Sequence, residues 1–282
     1  MKAVLLNGFG GLEVLSVGEV ATPAPADNQV LIKVMATSIN RPDLVQRAGK
    51  YPPPPGDSEI LGLEVSGVIE ELGPGVTSWR KGDRVISLVG GGGYAEYAVA
   101  YADHLMRIPE SMSFEEAACV CESYITAFLN IFMIGEFRDG QTAILHGGGG
   151  GVNTAGIQIC KALTPTSKLI VTASPEKMDR VKAIGADFLI NFRETPDFTE
   201  VVKEFTNKKG VDLGTSLTSM VYLSYAGDIT IPSLCSFQRR LSHRSGSLSA
   251  TNRTFRHPAL AILYMVGAIY YFCALLFLVC PT

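Results

Sequence analysis

Six cysteines, at 119, 121, 160, 235, 273 and 280, form no CxxC pair and no regular framework. A disulfide scaffold is therefore not indicated, and the thiols read as reduced, buried or incidental in a cytosolic chain. No excess of one charge is present either. Lys and Arg number 24 and Asp and Glu 27, a net −3, which offers nothing to a nucleic acid. The N-terminus lacks a charged region followed by an apolar one, so Met1 to Leu6 (MKAVLL) reads as a strand and not as a signal peptide. The near-neutral total hides a further lack. From Gly214 onward there is no Lys and one acidic residue, Asp228, against five Arg. That tail carries +4 and the 213 residues before it −7, so two regions of different character join near Leu213. At 282 residues the chain suits one large domain or two ordinary ones.

What is there is organised around Gln141 to Lys161, QTAILHGGGGGVNTAGIQICK. Thr142 to His146 is a largely apolar run that ends in five glycines, Gly147 to Gly151. Ala155, Ile159, Ala162 and Leu163 then share one face at helical spacing. Strand, glycine turn and helix form the arrangement that receives a dinucleotide pyrophosphate. Backbone without Cβ atoms approaches the phosphates closely, and the N–H groups of the helix start meet their charge. Gly148, Gly150, Gly151 and Val152 are the candidate contacts. The spacing departs from the motif at Asn153, where a third glycine belongs, and this is expected to loosen the packing of helix on strand. A glycine run alone equally suits a flexible loop. The sequel argues for a nucleotide fold: Lys168 to Ala173 (KLIVTA) as a strand, Glu176 to Ile184 as a helix, and Ala186 to Asn191 (ADFLIN) as a strand. That is a βαβαβ half of a doubly wound sheet.

The region before it reads differently. Gln29 to Ala36, Gly62 to Ile69, Arg84 to Val89 and Tyr94 to Val99 have strand composition, and turns such as Gly73-Pro74-Gly75 and Lys81-Gly82-Asp83 punctuate them. Many short strands predict a β-rich barrel or open sandwich to about residue 110. Pro52 to Pro55 force an extended segment after Tyr51. Ser113 with Glu116 is a capping box for a helix beginning near Phe114, and Glu122 to Phe132 reads as a further helix.

Asn40-Arg41-Pro42-Asp43, Gly49-Lys50-Tyr51-Pro52, Gly62-x-Glu64-x-x-Gly67, Gly82-Asp83-Arg84-Val85 and Gly91-Gly92-Gly93-Tyr94-Ala95-Glu96-Tyr97 follow one another in the order of a known family. The chain resembles the zinc-free quinone oxidoreductases of the medium-chain dehydrogenase/reductase superfamily. It is most similar to the tumour-suppressor-inducible NADPH quinone oxidoreductase branch, over about residues 1–213. The resemblance implies an α/β protein, with a GroES-like β-rich domain (1–112) followed by a truncated Rossmann doubly wound domain (113–213) and the active cleft between them. It implies NADPH as cofactor, a quinone or enone as substrate, and a homodimer. It places Asn40, Asp43 and Tyr51 on the substrate side and Thr126 near the cofactor ribose. For Asn40 and Asp43 the alternative is a loop or helix cap, and for Tyr51 it is packing. Glu64 reads as a structural buried carboxylate and His146 as a strand-end residue. Zinc-dependent members of the superfamily use a Cys, the His of a Gly-His-Glu and a later Cys or Asp. Here Leu63 stands at the His position, and Ser38 and Ile39 occupy the region of the first Cys. No metal is expected.

Cofactor choice reads from the end of the second strand. An NAD site places an Asp or Glu there for the ribose hydroxyls. This chain has Ala173-Ser174 and then Lys177, a hydroxyl and a cation that suit a 2′-phosphate. An N-capping Ser174 and a solvated Lys177 are the alternative. The family's Tyr after the third strand is Phe192 here, which removes one hydrogen bond that Arg193 could replace.

The last 69 residues depart from the family. A polar segment (214–257) precedes an apolar tail (258–282), in which Ala259 to Cys280 is uncharged over 22 residues, about the length that crosses a bilayer. Two readings stand. The tail anchors a cytoplasmic body to a membrane, with the five arginines as flank, or it is translated non-coding sequence joined by altered splicing or frameshift. Two functions stand with them: an NADPH-dependent, zinc-independent quinone or enone reductase, or a catalytically impaired or membrane-tethered form of the same fold.

Overall fold

The structure, a computed structural model, describes residues 1–216. The expectations for the polar segment beyond Ser216 and for the apolar tail lie outside the described residues. These residues divide into one unit from Met1 to Glu122 and another from Ser123 onward, past the boundary expected at 112.

In the first unit, β1 (Lys2–Leu6) pairs antiparallel with β2 (Leu15–Glu19). The strands β3 (Gln29–Thr37), β4 (Glu64–Leu72), β5 (Arg84–Leu88), β6 (Tyr97–Tyr101) and β7 (Met106–Arg107) form a five-stranded antiparallel sheet in the order β6-β3-β4-β5-β7. Between β3 and β4 lies α1 (Arg41–Arg47). Val30, Ile32, Val65, Ile69, Val85, Ala98 and Ala100 close the core of this unit. The β3–β4 ladder slips register twice, between Leu31 and Ile32 and between Val34 and Ala36. Gly67 sits beside the second slip, where a Cβ would lie 2.1 Å from the Lys33 carbonyl oxygen. Only glycine lets the two strands approach there.

The chain then becomes helical. α2 (Phe114–Ala117) starts on the expected capping box: the Ser113 hydroxyl accepts from the Glu116 N–H at 3.1 Å, and the Glu116 carboxylate accepts from the Ser113 N–H at 2.9 Å. Helical turns continue through α3 (Thr126–Phe128) to Ile134. Phe114–Ile134, with 21 residues and a mean hydropathy of 1.6, is long and apolar enough to cross a membrane by length and composition alone. Ala117, Cys121, Ile125, Ala127, Phe128 and Ile131 along it are buried, which is also what a core helix requires.

In the second unit β8 (Thr142–His146), β9 (Lys168–Ala173), β10 (Phe188–Asn191) and β11 (Leu213–Ser216) form one parallel sheet in the order β10-β9-β8-β11. The helices α4 (Gly151–Leu163), α5 (Met178–Ala183) and α6 (Thr199–Phe205) connect them. Leu169 through Ala173 are all buried, as befits a strand covered on both faces. The expected helix from Glu176 is shorter. Pro175–Lys177 makes a tight 3₁₀ turn, and α5 begins at Met178. β11 corrects the expectation that the chain leaves the fold at Leu213. Leu213 pairs with Ala143, Gly214 with Ile144, Thr215 with Leu145 and Ser216 with His146. The sheet therefore holds the first three nucleotide-fold strands and a fourth on the far side of β8. That order is the one in which strand succession reverses and ligands are received.

Candidate functional site

In the first unit two of the three substrate-side candidates, Asn40 and Asp43, belong to one network around a buried carboxylate. Glu64 opens β4 and is 1% exposed. Its Oε1 accepts from the Ser38 hydroxyl and from the Asn40 side-chain amide at 2.7 Å, and its Oε2 accepts from the Glu122 N–H at 2.9 Å. Asn40 Nδ2 also donates to Ser38 Oγ at 2.9 Å. Asp43, one turn into α1, accepts from the Asn40 N–H at 2.7 Å and from the Tyr94 hydroxyl at 2.8 Å. Its other oxygen, Oδ1, is buried without a hydrogen-bond partner. Tyr94 reaches Asp43 because Gly62 (φ +101°) and Gly93 meet backbone to backbone. A Cβ on Gly62 would fall 2.7 Å from the Gly93 Cα and from the Tyr94 nitrogen.

Burial governs the charges in this cluster. It raises the Glu64 carboxyl above its ordinary value, against the lowering effect of its three donors, and the Asp43 charge raises it further. Glu122 is raised by burial and then by the charges of Glu64 and Asp43. Tyr94 is raised by burial and then by its bond to Asp43. Both Asn40 amide hydrogens are engaged, and Asn40 with Asp43 also forms the capping box that starts α1, the alternative role the sequence allowed. Asp43 as a carboxylate only accepts. Tyr51, 45% exposed, stands apart from the network.

In the second unit the glycine turn follows β8 directly. A Cβ on Gly148 would lie 2.0 Å from Val171 Cγ1, and one on Gly149 would lie 2.2 Å from Lys177 Cδ. The turn therefore lies flat on β9 and on the Lys177 stem. Its amides sort into two sets. Gly147 and Gly148 donate to the Thr172 carbonyl at 3.1 and 2.8 Å, and Gly150 donates to the Gly147 carbonyl at 3.1 Å. Gly151, Val152 and Asn153 begin the 13-residue α4, where N–H groups have no partner within the helix. This second set is what an anion can use, and it fits a pyrophosphate. The amides of Gly148 and Gly150 are already engaged; Gly148 is needed for its missing Cβ against Val171, whereas a Cβ on Gly150 would lie an ordinary 3.5 Å from the Gly147 carbonyl oxygen.

Asn153 overturns the expectation of loosened packing. It is 3% exposed, and its Nδ2 donates to the His146 carbonyl at 2.7 Å and to the Gly147 carbonyl at 3.2 Å. Gly156 lets α4 approach the preceding helical segment, where a Cβ would be 2.9 Å from Ile131 Cδ1. Thr172 Oγ1 accepts from the Gly147 N–H at 3.0 Å and lies 2.7 Å from His146 Nδ1. The two side chains share one hydrogen bond whose donor follows the ring tautomer. Burial lowers the His146 pKa, in keeping with a neutral ring. Sequence pattern alone marked neither Thr172 nor its bond to His146, because a buried strand residue gives no periodic signal.

At the end of β9 Ser174 is buried and Lys177 exposed, with Lys177 Nζ 3.3 Å from the Gly149 carbonyl. No Asp or Glu ends the strand. Phe192 lies near the His146 ring, with centroids 6.2 Å apart. Arg193 is turned to Glu176 in a two-pronged contact at 3.3 and 3.4 Å. Thr126 opens α3, and its carbonyl accepts from Asn130 Nδ2 at 2.8 Å. Among the described residues no three His, Cys, Asp or Glu side chains group to hold a metal ion.

An antiparallel GroES-like unit and a parallel sheet with a glycine turn define a medium-chain dehydrogenase/reductase. A model of the alcohol dehydrogenase GroES-like domain matches residues 26–110. Pig (Sus scrofa) quinone oxidoreductase is 36% identical over 227 residues, covering 79% of this chain and 68% of the pig protein. The mouse (Mus musculus) synaptic vesicle membrane protein VAT-1 homolog-like is 35% identical over 213 residues, 76% of this chain but about half (50%) of the mouse protein. Among solved structures, the quinone oxidoreductase from Coxiella burnetii is 31% identical with a TM-score of 0.71, over 79% of this chain and 70% of that one. A mycobacterial protein complexed with NADPH is 31% identical with a TM-score of 0.69, over 76% and 66%. The chain belongs to the quinone oxidoreductase family of the medium-chain dehydrogenase/reductase superfamily.

Proposed function

We propose that this chain is an NADPH-dependent, zinc-independent oxidoreductase that reduces quinones or related enones. The observation that carries the cofactor choice is the end of β9, where a buried hydroxyl (Ser174) and a cation (Lys177) stand beside the glycine turn and no carboxylate ends the strand, the nearby Glu176 being paired with Arg193. A 2′-phosphate is met there by charge and hydrogen bond, and the mycobacterial relative's complex with NADPH supports the same choice. The N–H groups of Gly151, Val152 and Asn153 would hold the pyrophosphate. The bound nicotinamide supplies the hydride. Of the substrate-side candidates, Asn40 and Asp43 offer acceptors, so Tyr51, whose hydroxyl is a donor, would bond the substrate oxygen. Zinc independence is supported by Leu63, which cannot ligate, and by Glu64, whose oxygens are taken up by Ser38, Asn40 and Glu122. Steady-state NADPH oxidation with a simple quinone, run with and without a chelator, tests the reading. Turnover that a chelator leaves unchanged is expected. Activity lost and restored with stoichiometric zinc would overturn the metal-free part, and the absence of turnover beside tight NADPH binding would favour the catalytically impaired form.

A second reading concerns location. The 22 uncharged residues from Ala259 to Cys280 are about the length that crosses a bilayer, so a tail-anchored form stands as the alternative to a cytoplasmic one. Flotation of the full chain with lipid vesicles tests it, since a cytoplasmic protein stays at the bottom of the gradient.

A further inference from the structure

The glycine turn in this chain is braced by side chains that the nucleotide-binding motif does not require. The Asn153 amide bridges the carbonyls of His146 and Gly147, at the last residue of β8 and the first of the turn. On the opposite side the Thr172 hydroxyl takes the Gly147 N–H and is itself held by His146 Nδ1. Gly147, at φ +83°, is the residue where the chain reverses, and both braces act on it. Asn153 occupies its place although its Oδ1 is buried without a partner, a penalty a glycine would avoid. The two donated bonds are the compensation. Asn153 also contributes one of the three helix-start N–H groups, so its side chain and its backbone serve the same turn.

We propose that Asn153 and Thr172 are positioning residues for the pyrophosphate of a bound dinucleotide, replacing with hydrogen bonds what a third glycine does by close packing. The inference rests on the NADPH reading above and makes a prediction opposite to the motif. Asn153→Gly, which restores the regular glycine spacing, weakens NADPH binding. The loss is about five- to tenfold in Kd, as one net hydrogen bond would give. Thr172→Val, which keeps the shape and removes the hydroxyl, weakens binding about threefold to fivefold, and Thr172→Ser restores it.

The test titrates the full chain and these three variants with NADPH and, separately, with adenosine 2′-monophosphate, which carries the 2′-phosphate and no pyrophosphate. Weakened NADPH binding with unchanged binding of the monophosphate is expected for Asn153→Gly and Thr172→Val, with wild-type values for Thr172→Ser. NADPH binding by Asn153→Gly at wild-type strength or tighter overturns the proposal. So does a parallel loss of both ligands in Thr172→Val, which would mean a fold defect instead of a misplaced turn. A wild-type chain that binds neither ligand contradicts the NADPH reading itself, and that outcome is distinct from the other two.

Discussion

The two units solve the same problem, holding polar groups in a fixed arrangement, with opposite materials. The first unit centres on ionisable side chains. Glu64 gathers Ser38, Asn40 and the Glu122 N–H, and Asp43 gathers Tyr94 and the Asn40 N–H. The second unit centres on neutral groups, backbone amides with Thr172, Asn153 and a His146 ring that burial keeps uncharged. A buried carboxylate binds several donors strongly but makes the region answer to pH and fail when the acceptor is removed. Neutral braces give smaller, more separable effects.

The largest expected effect breaks the first arrangement. Glu64→Ala leaves three part-buried donors without their acceptor and should destabilise the protein by about 3 kcal/mol, read as a lower urea midpoint. Gly148→Ala attacks the second arrangement by shape. Its Cβ would meet Val171, which is 0% exposed, so a cost of about 1–3 kcal/mol is expected in the same unfolding experiment.

The contrast in pH response is sharper still. Glu122 is raised by burial, so between its unfolded value near 4.5 and its folded one the native state holds more protons than the unfolded state. The cost of ionising it is absent below that window, grows as pH rises through it and is complete above it. Glu122→Gln should therefore gain stability over wild type from pH 4 to pH 7. A gap that stays constant with pH would remove the claim. His146 runs the other way: its lowered pKa means that stability falls as pH drops below about 6.5.

Smaller effects concern the nucleotide end. Lys177→Ala should weaken NADPH by about tenfold and leave NADH unchanged, as measured by fluorescence titration. Arg193→Ala should change NADPH affinity by no more than about twofold, because Arg193 is engaged with Glu176 in an exposed pair.

The order of the strands was legible in the sequence because apolar runs and glycine turns carry it. Lys168–Ala173 matches the expected strand end for end. The capping box at Ser113 was equally plain, since two residues at fixed spacing are enough to define it. The continuation into β11 was not, because Gly214, Thr215 and Ser216 lack apolar character. They are held by parallel pairing to β8, a partner 70 residues away in the chain. The Glu64 cluster was half legible. A lone carboxylate in an apolar strand stands out, but its donors come from two distant segments, Ser38 with Asn40 and Glu122, that only the fold assembles. For Asn153 the departure from the glycine motif was visible and its consequence was misread. Spacing reports a missing glycine and cannot report the two carbonyls that an amide finds in its place.

The most direct test of the account is a side-by-side titration of the full chain with NADPH and NADH at matched ionic strength, repeated on Lys177→Ala. Wild type is expected to bind NADPH the more tightly, and the preference is expected largely to disappear in the variant. Equal affinities in wild type, or a preference for NADPH that Lys177→Ala leaves intact, would contradict it.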